Sequence, residues 1–150
     1  MKTENLQNVL TELYKKLSTL KEIAQKKQRA LIERNLKNLE EGINAESNLL
    51  PIITQLENAR QKEMFALLAD LGLNNPKVKF SEFLEIISSE ITDDEKKYLS
   101  KINLKIKNFV TELARLNSQN LFLIKHSQKF IDDMIIALLG KEKKILDRRV

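Results

Sequence analysis

Between residues 6 and 31, apolar side chains return at steps of four and three: Leu6, Leu10, Leu13, Leu17, Leu20, Ala24 and Leu31. At 100° per residue these positions fall within a wedge of roughly 80°, a narrow seam of the coiled-coil type. Lys27 takes a seam position once, with a stem long enough to carry its charge out to water. The spacing predicts a helix over about residues 3–33, spanning about 46 Å. Breakers are scarce, with three glycines and two prolines in 150 residues, and no strand pattern competes. That length suits one domain with a core large enough to fold alone.

Asn35 is the expected cap and turn between ALIER and LKNLEE. A second helical segment follows to about Leu71. Leu36, Leu39, Ile43, Leu50, Ile53, Met64, Leu67 and Leu71 hold the same register, interrupted by Glu46, Glu57 and Arg60. Arg60 is expected to pair with a carboxylate on a neighbouring helix. Pro51 falls inside the pattern and should kink the helix or mark a local break. A hairpin is expected rather than one bent rod, because a single rod would leave its long seam unpaired. Gly72 stands where a C-cap glycine belongs, and SEFLEIISS reads as a short helix capped by Ser81. ITDDE then supplies a capping box, Thr92 with Glu95, and two more first-turn carboxylates. From there the pattern runs to Leu139 and is expected to end at Gly140, a rod of about 70 Å. The polar patch NSQN, residues 117–120, is where that rod could bend or divide in two.

These readings give an all-α fold: an antiparallel bundle of three to four long helices with coiled-coil-like packing and one short connecting helix. Residues 1–140 form the bundle domain, and 141–150 are expected to be a basic, flexible tail.

The inventory of chemistry-bearing groups is thin. There is no cysteine, and the single histidine, His126, lies on the polar side of its helix, which argues against zinc or haem. A di-iron bundle needs Glu-x-x-His pairs facing inward, and the residue three before His126 is Leu123. No glycine-rich phosphate loop and no catalytic triad can be assembled. The chain reads as a non-enzyme without a cofactor. The net charge of +5 also carries little. The tail KEKKILDRRV has five cations and two anions, leaving 21 cations against 19 anions, +2, over the other 140 residues. A nucleic-acid binder gathers its cations on one face beside aromatics or a known motif, so no nucleic acid is expected. The longest apolar run, Met134 to Leu139, is far short of a membrane span, and the N-terminus lacks a signal-peptide core. A soluble, cytoplasmic chain without membrane insertion is expected.

One stretch stands apart, NSQNLFLIKHSQKFIDDMIIALLG, residues 117–140. With Leu121 set at zero, Phe130, Leu123, Met134, Leu138, Ile131, Ile124, Ile135 and Leu139 cover an arc from about 180° round to 360°. A surface helix needs a stripe of only about 100°. Phe122 and Ile136 lie outside even this arc, on the side shared with Lys125, Lys129 and Asp132. Burial between neighbouring helices accounts for the inner half of the arc but not for Phe122, Ile136 or the excess length of the rod. The outer half is expected to serve a partner, as an apolar helix face laid against another helix. A homodimer would use the same surface.

The order of features resembles the FlgN family of flagellar export chaperones. The resemblance rests on RALIERNLKNLEE, on LPIITQLENARQKE around Arg60, and on LARLNSQNLFLIKHSQKFIDDMIIALL. In the last of these, Asn117, Asn120, Leu121, Ile124, Ser127, Phe130 and Ile131 match the family's pattern. The resemblance implies a cytoplasmic chaperone of flagellar type III export. Its partners would be hook-associated proteins of FlgK/FlgL type, with contact to the flagellar export apparatus left open. The resemblance places substrate binding on the C-terminal helix. The partner-binding residues expected are Asn117, Asn120, Leu121, Phe122, Ile124, Phe130, Ile131, Ile135 and Ile136. For Asn117 and Asn120, a role in fixing helix register stands equally open. The alternative is a self-associating coiled-coil scaffold without chaperone activity.

Overall fold

The computed structural model describes the backbone of residues 1–74 and 77–149 and, in the last helix, the side chains of residues 93–126, 132, 135 and 136. Three long helices and a short one carry the fold: α1 (Glu4–Glu33), α2 (Leu36–Asp70), α3 (Phe80–Ile87) and α4 (Asp93–Arg149). No strand occurs among the described residues. The all-α bundle expected from the sequence is the observed one.

The α1–α2 turn is a hairpin made by two adjacent residues. Arg34 takes the left-handed conformation, φ 55°, which lets the Asn35 N–H donate to the Ala30 carbonyl at 2.8 Å. Asn35 then caps α2, its side-chain oxygen accepting from the Asn38 N–H at 3.1 Å. At the far end of α2, Gly72 (φ 75°) closes a Schellman motif. Leu73 N–H donates to Leu68 O at 3.0 Å and Gly72 N–H to Ala69 O at 2.9 Å. Pro51 does not break α2, which runs unbroken from Leu36 to Asp70. Pro51 and Ser47, whose carbonyl loses its helical donor, are both exposed, so water can take the missing place.

Two sequence expectations about helix ends are corrected. The N-cap of α3 is Lys79, not Ser81, and it makes no side-chain capping bond. At eight residues α3 is too short to stand alone, so the burial of Phe80, Phe83, Leu84 and Ile87 holds it in place. The helix α4 does not stop at Gly140 but continues to Arg149, and it passes unbroken through residues 117–120. A single interior glycine costs about 1 kcal/mol, too little to end a helix followed by good helix formers.

The helices are held in register by named pairs. The Thr3 hydroxyl, buried, donates to Glu95 Oε2 at 2.5 Å. Asn120 Nδ2 donates to the Ala24 carbonyl at 3.1 Å, and Gln28 Nε2 to Gln119 Oε1 at 2.9 Å. Partner numbers rise together, so α1 and α4 are parallel, with α2 antiparallel between them in sequence. Lys27 Nζ meets Glu46 Oε2 at 2.9 Å across α1 and α2. Gly42 makes that approach possible, since a Cβ there would lie 2.7 Å from Lys27 Cγ. Arg60 pairs with Glu57 on its own helix rather than across to a neighbour, with Nε to Oε2 at 2.9 Å. Its fork reaches a carboxylate one turn back before it can reach another helix.

The core follows α1. At its N-terminal end Leu6 and Leu10 pack with Met64, Leu67 and Leu68 of α2, Phe83 and Ile87 of α3, and Leu99 of α4. In the middle Leu13, Leu17 and Ala24 meet Leu113 and Leu116, flanked by Ile53 and Leu56. Near the hairpin Ala30, Leu31 and Leu39 pack with Leu123 and Ile124. Along its length α1 packs against both α2 and α4, whereas α2 and α4 hardly approach each other.

The Thr3–Glu95 link carries a pH consequence. Glu95 completes the capping box, accepting from Thr92 N–H at 3.4 Å while Glu95 N–H donates to Thr92 Oγ1 at 3.1 Å. The Thr3 hydroxyl above all, with the Thr92 bonds, holds the Glu95 carboxyl below the usual glutamate range, against an opposing desolvation. A depressed folded-state pKa stabilises the fold above the unfolded pKa, and that contribution disappears as pH falls through the folded value. Urea midpoints measured against pH should therefore show Glu95→Gln weaker than the parent at neutral pH. The gap should close in the acid range. A gap that persists unchanged at low pH would mean that Glu95 acts through something other than its charge.

Candidate partner-binding surface

The parallel pairing of α1 and α4 fixes how far α4 extends past the hairpin. The two helices start level, at Thr3 and Glu95. With 30 residues α1 spans about 45 Å, and with 57 residues α4 spans about 86 Å. The hairpin therefore ends about 40 Å before α4 does. Among the described side chains, Leu123 and Ile124 make the apolar contacts of α4 with the hairpin that lie farthest along the helix.

Around that point the expected site residues separate into groups. Asn120 is buried, 3% exposed, and its amide is spent on the Ala24 carbonyl, so within the chain it does the register-fixing task. Ile124 is half-buried against the hairpin. Asn117 is exposed. Leu121 (54% exposed), Phe122 (61%), Ile135 (43%) and Ile136 (50%) are all open to solvent. Relative to Leu121, these four occupy a sector from about 320° through zero to about 100°. They form one stripe bordering the buried face, interleaved with the exposed Lys125 and Asp132. The His126 ring lies against Phe122, with centroids 4.2 Å apart. The side chains of Phe130 and Ile131 lie outside the described residues.

A second feature was not anticipated from the sequence. On the α2 seam Leu50 is 45% exposed, although its register matches that of the buried Leu39 and Met64. It faces the gap between α2 and α4, where a groove of about 370 Å³ lies over α1. Leu20, Lys27, Glu46, Leu50, Leu113 and Asn120 are among its lining residues. The signal for it was present in the polar interruptions of both seams, Lys27 and Glu46, which pair beside the groove.

Among the described residues no cluster of three or more His, Cys, Asp or Glu could hold a metal ion. No helix among them is long and apolar enough to cross a membrane. What the fold defines is an all-α bundle whose longest helix extends past the end of its hairpin. The family model described as FlgN protein matches residues 1–146, and the chain belongs to the FlgN family, a family of flagellar export chaperones. Neither a curated protein nor a solved structure matches the chain.

Proposed function

We propose that the protein is a cytoplasmic chaperone of flagellar type III export, holding hook-associated proteins of FlgK/FlgL type unassembled until secretion. The observation carrying this reading is the exposed stripe of Leu121, Phe122, Ile135 and Ile136 on a helix that has outrun its own hairpin. Large apolar side chains gathered on one side of a helix mark an interaction surface, and another helix is the partner that matches its geometry. Junction proteins carry terminal segments that become helical on assembly. Covering such a segment prevents premature association, and a modest buried area keeps release feasible. Asn117, Ile124 and Ile131 border this stripe by helical register, with Asn120 beneath it, and Phe130, at about 180°, would meet a partner from the far side of the helix. Contact with the export apparatus would use surface left free by the cargo.

The same stripe would serve self-association, and light scattering on the full chain separates the two readings. The chaperone reading expects a species that converts to a defined complex when a hook-associated protein is added. A stable oligomer that ignores the added protein would replace it with the scaffold reading.

A further inference from the structure

The groove between α2 and α4 contains a polar atom without a partner among the described residues. Asn120 lines it, is 3% exposed, and donates through Nδ2 to the Ala24 carbonyl, while its Oδ1 is buried and accepts from none of the described residues. A buried amide oxygen left unpaired is costly, and native structures rarely keep one. Around it the lining is apolar, from Leu20, Leu50, Leu113 and Ile124, with the Lys27–Glu46 ion pair alongside.

The groove lies in a vacant helix seat. All three long helices contribute to the same core clusters, yet the α2 and α4 backbones stay apart. At the N-terminal end of α1, α3 fills the gap with Phe83, Leu84 and Ile87. Farther along, no element among the described residues does so. There Leu50 and Leu121 stand exposed on opposite banks. The stripe on α4 continues from Leu121, so groove and stripe form one surface.

We infer that this seat receives an amphipathic helix of the cargo, completing a local four-helix arrangement in which one cargo hydroxyl or amide donates to Asn120 Oδ1. The inference rests on the chaperone reading and adds its recognition chemistry. The apolar banks supply affinity with little selectivity. The orphan acceptor supplies selectivity, because an apolar helix that seals the groove without a donor leaves Oδ1 unpaired.

The test uses the terminal helical segments of a hook-associated protein as synthetic peptides, titrated calorimetrically into the full chain. Each Ser, Thr, Asn or Gln of the tightest peptide is replaced by its apolar near-isostere. One position should lose about ten-fold in affinity for the parent chain and almost nothing for Asn120→Leu. Leu50→Glu, at a position exposed enough to leave the fold intact, should weaken every helical peptide about ten-fold or more. If peptides bind and respond to Phe122→Asp but not to Leu50→Glu, the groove inference falls while the chaperone reading stands. If no donor position couples to Asn120, the assigned hydrogen bond is wrong. If no peptide binds the parent chain, the chaperone reading falls and takes this inference with it.

Discussion

Phe83→Ala should destabilise the protein by about 3–5 kcal/mol, read from urea unfolding of the full chain. Phe83 is fully buried, its ring 5.6 Å from that of Phe80, in the cluster where all four helices meet. Little can collapse to fill the space, since Leu6, Leu10, Ile87 and Leu99 around it are themselves fully buried. The loss is a large fraction of the 5–15 kcal/mol that a domain of this size has in hand. Because α3 depends on that packing, its amides should exchange freely in the variant before the rest unfolds. The exposed stripe of α4 begins at the opposite end of α1, so cargo affinity should change less than about three-fold at temperatures where the variant is folded, as expected for distant sites. A collapse of affinity without unfolding would mean that the binding surface reaches the α3 end.

The second large effect concerns binding. Replacing Phe122, Ile135 and Ile136 together by Asp should leave the melting temperature nearly unchanged, since each is 43% exposed or more. Burying such a side chain contributes about 1.5–3 kcal/mol, and three of them acting together imply a loss of at least a hundred-fold in cargo affinity. Calorimetry with a hook-associated protein measures the loss, and circular dichroism confirms that the variant is folded. The obvious alternative target, Ile124, is a poorer choice. It packs against Ala30, Leu31 and Leu39, and a charge there would damage the fold as well as the surface.

Much of this was legible in the sequence because local rules and tertiary packing agree. The three-four seam of α1, the Asn35 cap, Gly72 and the Thr92–Glu95 box each appear where their chemistry requires. Where reading failed, a stronger neighbour prevailed. Ser81 is a good capping residue, but burial of Phe80 starts α3 two residues earlier, with Lys79 as cap. Gly140 is a weak breaker set among strong helix formers, and α4 runs through it. Arg60 found Glu57 one turn away on its own helix.

The surplus of apolar residues on α4 was readable as periodicity, and its division into buried and exposed parts was not. That division depends on how far α1 extends alongside, which is set by the Thr3–Glu95 alignment across 92 residues of chain. The groove was hidden for the same reason. Leu50 has a core register, and only the separation of α2 from α4 leaves it uncovered.

Hydrogen exchange of the full chain, with and without a hook-associated protein, locates the contact directly. Added protection should fall on residues 117–136 of α4 and on the α2 turn around Leu50, leaving α3 and the start of α1 as they were. Protection gathered at the α3 end, or none on the second half of α4, would contradict the claim that the protein works through the exposed stripe of α4 and the groove beside it.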